Sequence, residues 1–124
     1  MIGRMPGVLV VDDDAAFRGL ARRLLVAAGL RVVGEADGVA TALAAARALR
    51  PDGALVDLRL GDGDGIELAG ELTAMEWRPR VVLTSTHADG ATDEDVRRCG
   101  AGGFFPKDEL LGAPLKQLLT KSTP

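Results

Sequence analysis

The sequence predicts an α/β fold, a doubly wound five-stranded parallel sheet with helices on both faces. Two observations predict it. Five apolar runs alternate with five helical patterns along the 124 residues. The first run, Val8–Val11, is also continuous rather than alternating, as a strand buried on both faces requires.

Each element has its own signal. After Val8–Val11, the residues Phe17, Leu20, Ala21, Leu24 and Ala28 fall on one face of a helix that Gly29 ends. "LRVVGEA" is the second strand. Val39, Leu43, Ala46 and Leu49 mark a second helix, stopped at Arg50 by Pro51. "GALVDL" is the third strand, and the loop "RLGDGDG" leads to a helix with Leu68, Leu72 and Met75 on one face, ending before Pro79. "RVVLTST" is the fourth strand. A polar, weakly helical stretch, "HADGATDEDVRRCG", then precedes "GFFP", a short fifth strand. Leu115, Leu118 and Leu119 predict a last helix of core-facing leucines, with Pro114 in its first turn.

Bulk composition narrows the function. The chain is 47% hydrophobic and 27% charged with a formal net charge of −3, and no Lys/Arg run suggests direct nucleic-acid binding. One domain is expected over residues 1–124. A lone Cys99 excludes an internal disulfide and a multi-cysteine metal site, which fits a reducing compartment. No stretch approaches the roughly 20 apolar residues of a membrane span, and "MIGRMPG" is no signal peptide, so a cytoplasmic protein is expected. Cys99 and Trp77 read as packing residues.

The chemistry gathers where the strands end. "VLVVDDD" delivers Asp12, Asp13 and Asp14, the third strand ends at Asp57, the fourth at Thr84, Ser85 and Thr86, and the fifth reaches Lys107. Parallel strands share one carboxyl edge, which is where such folds bind ligands. Clustered carboxylates there suit a hard divalent cation, Mg²⁺, which takes oxygen ligands and usually keeps several waters. Asp13 and Asp57 would hold it. Lys107 could neutralise a phosphate oxygen and the Ser85 hydroxyl could bind another. The set suits phosphoryl transfer to a carboxylate, with Asp57 as nucleophile. Asp12 is a direct or water-mediated ligand or an orienter of the metal's waters, and Asp14 caps the first helix.

The same residues, in order, resemble the receiver domains of two-component response regulators over nearly the whole chain. Asp12 and Asp13 match that family's acidic pair, and "PDGALVDLRLGDGDG" puts Asp57 at the phosphoacceptor. Spacing back from "CGAGGFFPK" favours Ser85 over Thr84 as the hydroxyl residue. Phe104 matches the switch aromatic and Lys107 the lysine. The resemblance implies a flavodoxin-like strand order 2-1-3-4-5 and a Mg²⁺ site of Asp12, Asp13, Asp57 and the backbone carbonyl of Arg59. It implies a switch rather than an enzyme with turnover. A sensor histidine kinase or phosphotransfer protein would donate the phosphoryl, Ser85 and Lys107 would move towards it, and Phe104 would turn inward. The signal would pass to a downstream protein partner or an output domain not in this chain; a homodimer is allowed for. Arg59 and His87, two residues beyond Asp57 and Ser85, would tune phosphate loss. The sequence departs from the pattern at Gly61 and Asp108, where proline is frequent, and at Pro106.

Two other readings compete. Asp12-x-Asp14 weakly resembles the signature of haloacid-dehalogenase phosphohydrolases, but Ala16 stands where Thr or Val is expected and Asp57 is left without a role. A degenerate receiver would only bind partners. "DGDGIELAGE" fails as a calcium loop, since Leu60 would be its first ligand; Asp64–Gly65 reads instead as a turn into the third helix.

Overall fold

The structure, a computed structural model, describes residues 5–120. Met1–Arg4, part of the segment read as no signal peptide, and the last four residues lie outside the described residues. In chain order the elements are β1 (Gly7–Val11), α1 (Ala15–Ala27), β2 (Arg31–Ala36), α2 (Val39–Leu49), β3 (Gly53–Asp57), α3 (Gly65–Thr73), β4 (Arg80–Ser85), α4 (Asp93–Cys99), β5 (Gly103–Pro106) and α5 (Leu115–Leu119). The five strands form one parallel sheet in the order β2-β1-β3-β4-β5, the order expected. Among the described residues no helix is long and apolar enough to cross a membrane.

Strand alternation divides the core. Leu9, Val11, Val56, Val81 and Leu83 pack under α2, α3 and α4, against Ala42, Ala46, Leu68 and Leu72. Val8, Val10, Leu55 and Val82 face the other way, onto Phe17, Ala21 and Leu25 of α1 and Leu115 and Leu119 of α5. The central strands β1 and β3 are buried along their whole length, which accounts for their unbroken apolar runs. Each buried leucine or valine contributes roughly 1.5–3 kcal/mol relative to exposure. Cys99 is buried against the first layer, and Trp77 packs there too while donating from Nε1 to the Pro51 carbonyl at 3.1 Å.

Helix ends follow their chemistry. Asp14 Oδ1 accepts from Ala16 N and Phe17 N, so Asp14 caps α1 as expected. Gly29 (φ 89°) and Gly100 (φ 80°) adopt the left-handed conformation just beyond α1 and α4. The polar stretch before β5 yields a seven-residue α4 with a reciprocal cap: Thr92 Oγ1 accepts from Asp95 N, and Asp95 Oδ2 accepts from Thr92 N.

Several boundaries differ from the pattern reading. α3 ends at Thr73, because Met75 N turns back to the Leu72 carbonyl at 3.1 Å; Met75 still packs on the core. Pro114 precedes α5 rather than lying in its first turn, and its ψ of 62° is not helical. Lys107–Gly112 forms a 3₁₀ turn with no periodic signal of its own. Pro106 is tolerated because β5 is an edge strand.

The loop after β3 is a small antiparallel hairpin, Arg59–Leu60 against Gly63–Asp64, anchored at three points. Leu60 is buried, Leu58 N donates to the Thr84 carbonyl at 2.9 Å, and Gly65 N donates to the Leu58 carbonyl at 2.8 Å. The tip then reaches α2. Asp62 Oδ1 accepts from Val39 N at 2.7 Å and Oδ2 from Ala40 N at 3.1 Å, which keeps the Asp62 carboxyl below the usual carboxylate range. Gly38 makes room for it, since a Cβ there would stand 2.7 Å from Asp62 Oδ1.

Candidate functional site

The carboxyl edge of the sheet collects side chains from four elements. β1 runs into Asp12 and Asp13, β3 ends on Asp57, β4 ends on Ser85, and Lys107 follows β5 directly. Carboxylate oxygens of Asp12, Asp13 and Asp57 all lie within 4.8 Å of one another. Lys107 Nζ stands 2.8 Å from Asp12 Oδ2 and 3.7 Å from Asp57 Oδ2. Asp12, Asp13, Asp57, Ser85 and Lys107 therefore all stand at one edge of the sheet.

Asp12 is fully buried. Its Oδ1 accepts from Asp14 N at 2.8 Å, and Arg18 donates from Nη1 to its carbonyl at 2.7 Å. Its Oδ2 is close to Lys107 yet makes no well-directed hydrogen bond among the described residues. That contact is an ion pair by distance, which balances charge and leaves a buried lone pair unfilled. Such an atom, beside two more carboxylates, fits a cation that takes oxygen ligands. Asp13 is exposed and completes the open side of the group.

Asp57 is 7% exposed, and its carboxyl is raised from 3.8 to about 6. Burial is the largest cause and the negative charge of Asp12 the next; the Lys107 ammonium and the Arg59 backbone N–H pull the other way. A carboxylate this crowded by negative charge is stabilised by whatever positive charge arrives.

The two hydroxyl residues at the end of β4 divide by face. Thr84 shares its face with Val82, and its Oγ1 donates to the Phe105 carbonyl at 2.8 Å, fastening the edge strand. Ser85 lies on the opposite face, buried, with Oγ accepting from His87 N at 3.1 Å. Phe104 packs on that same face, partly buried. A cleft of about 460 Å³ beside Ser85 is lined by Arg59, Leu60, Ile66 and Gly90, and a groove of about 470 Å³ runs past Phe104 between α4 and β5. Gly65 holds the loop tight beneath Asp57: a Cβ there would collide with the Asp57 carbonyl and stand 2.8 Å from Leu58 Cα.

Pattern reading missed two partners. Thr84's grip on the edge strand has no local signature. Nor does the ring of Phe17, whose centroid lies 4.2 Å from Lys107 Nζ; in the sequence Phe17 is only a core position of α1. Asp14 is committed to the α1 cap, which removes the second aspartate a haloacid-dehalogenase arrangement would need.

Comparison with known proteins agrees with this geometry. A family model described as "Response regulator receiver domain" matches residues 8–118. The protein named "Probable transcriptional regulatory protein NarL" of Mycobacterium tuberculosis is 38% identical over 113 residues, covering 90% of this chain and 52% of that protein. The DNA-binding transcriptional activator DevR/DosR of the same organism is 39% identical over 105 residues, covering 84% of this chain and 48% of that protein. The chain thus spans about half the length of the curated relatives it matches. Among solved structures, the signal receiver domain of NarL from Mycobacterium tuberculosis superposes with a TM-score of 0.79 at 36% identity, covering 91% of this chain and 95% of that one. Sheet order, acidic edge and relatives converge: the chain belongs to the response regulator receiver domain family.

Proposed function

We propose that Asp57 is the phosphoacceptor of this receiver domain. The observation that carries the reading is the convergence of three carboxylates and Lys107 at one sheet edge, with Asp57, buried like Asp12, carrying a raised pKa at the end of β3. An Asp57 oxygen attacks the phosphorus of a phosphohistidine on a sensor histidine kinase or phosphotransfer protein. The P–O bond forms as the P–N bond breaks, and the electron pair leaves with the imidazole nitrogen. Asp12, Asp13, Asp57 and the Arg59 carbonyl would hold Mg²⁺, which supplies charge neutralisation for the donor and acceptor oxygens. Lys107 neutralises a phosphoryl oxygen and Ser85 donates its hydroxyl to another. Thr84 is unsuited to that task because its hydroxyl is engaged by Phe105 on the far face.

The phosphoryl adds roughly −1.5 to −2 of charge and three acceptor oxygens. As Ser85 shifts towards it, Phe104, on the same face, turns inward and alters the surface formed by α4 and β5. The domain is a two-state element whose populations the phosphoryl shifts. It turns over only its own phosphoryl and works in the cytoplasm through a downstream protein or an attached output domain. Intact mass after incubation with acetyl phosphate and Mg²⁺ tests the reading. The wild type gains one phosphoryl mass, and Asp57→Asn or added chelator abolishes the gain. A folded wild type that gains nothing leaves the edge a binding surface only.

A further inference from the structure

Lys107 meets a third group besides Asp12 and Asp57. Its Nζ is 4.2 Å from the centroid of the Phe17 ring, and the side chain is only 16% exposed. Phe17 is buried in the first turn of α1, whereas Lys107 opens the 3₁₀ turn after β5, so this contact joins elements far apart in sequence. The ring presents the negative face of its quadrupole to a largely desolvated ammonium, the setting in which cation–π attraction is strongest. It attracts the charge without occupying a directed lone pair. Asp12 and Asp57, both within ion-pair distance of Lys107, draw the ammonium down among the carboxylates; the ring draws it back towards α1.

We infer that Phe17 is a positioning residue for phosphoryl transfer: the face of its ring holds the Lys107 ammonium at the rim of the carboxylate cluster, with N–H groups available to a phosphoryl oxygen. The inference rests on Asp57 being the phosphoacceptor, and it adds a residue that touches neither metal nor phosphoryl. Its effect is expected in the rate at which the acceptor is loaded, because the aligned ammonium is needed where charge develops on the transferring group. Loss of one such contact corresponds to roughly a fivefold change in rate.

The test separates the charge of the ring from its bulk. Mono-, di- and trifluorophenylalanine introduced at Phe17 alone keep the ring's shape while draining negative potential from its face. Phosphorylation by acetyl phosphate at saturating Mg²⁺ is followed by intact mass, beside Phe17→Leu. The expected result is a graded fall with each added fluorine, ending near the Phe17→Leu rate, about fivefold below wild type. A flat fluorine series, with wild type labelled normally, overturns the inference and leaves the Asp57 reading standing. That holds even where Phe17→Leu is slow, because the ring then only fills space. A wild type that takes no phosphoryl removes the Asp57 reading, and this one with it.

Discussion

Replacing Asp57 by asparagine should make the metal-free protein more stable at pH 8, although it removes the residue most central to the site. Burial and the Asp12 charge raise the Asp57 carboxyl from 3.8 to about 6. Below pH 3.8 the group is protonated in both the folded and the unfolded chain, and it imposes no penalty. Between 3.8 and about 6 the folded chain keeps a proton that the unfolded chain has lost, so stability falls as pH rises through that window. At about 1.4 kcal/mol per pH unit, the full penalty above pH 6 is about 3 kcal/mol. Asparagine keeps the shape and an acceptor for the Arg59 N–H but never ionises. Urea unfolding in chelator should therefore show Asp57→Asn more stable by up to about 3 kcal/mol at pH 8, the gap closing to about 1 kcal/mol at pH 4.5. Millimolar Mg²⁺ should narrow the gap by stabilising the wild type alone. A variant no more stable than wild type at pH 8, or a gap independent of pH, refutes the electrostatic account of the site.

Other outcomes follow from the same geometry. Thr84→Val strands the Phe105 carbonyl and should cost about 1–3 kcal/mol in denaturant unfolding while leaving phosphorylation measurable. Ser85→Ala should do the reverse, with little change in stability and markedly slower labelling by acetyl phosphate. Equal effects of the two would undo the assignment by face. Gly65→Ala forces a Cβ onto the backbone of Asp57 and Leu58, which cannot yield as a side-chain tip would; a loss of about 1–3 kcal/mol in the melt and impaired labelling are expected. Arg59→Ala combined with His87→Ala should change the lifetime of the phosphorylated form several-fold, followed by mass after donor removal. An unchanged lifetime excludes a role for both in admitting water.

Most of the sheet was legible because its residues speak locally. Val8–Val11 and Ala54–Val56 are unbroken apolar runs because strands buried on both faces leave no polar side to write. Asp12, Asp13, Asp57 and Lys107 could be placed together because parallel topology brings strand ends to one edge, whatever their separation along the chain. The divide between Thr84 and Ser85 was open to spacing alone; its physical cause, a hydroxyl donated across to Phe105, belongs to the packed sheet. Phe17 shows the same limit. Its helical spacing marks it as core, and only the folded chain brings Lys107 over its face. The 3₁₀ turn of Lys107–Gly112 lacks a period long enough to read, and Met75 fell outside α3 because a single apolar residue after a helix looks like one more turn of it.

The anchoring of Asp62 on α2 has a consequence for how this chain can vary. The segment between Asp57 and Gly65 is held at both ends and at its tip, so its length is as constrained as its composition. One residue inserted before Asp62 would carry its carboxylate about 3.3 Å along the chain, out of reach of the Val39 and Ala40 amides. The hairpin could then keep its pairing or its grip on the helix, but not both. Gly38, Asp62 and Gly63 consequently constrain one another sterically, since a Cβ at Gly63 would press on Val39 just as one at Gly38 would press on Asp62. Gly61 is the exception, with nothing within 4 Å of where its Cβ would be, and it is the one position in the tip that a protein engineer could rewrite without disturbing its neighbours.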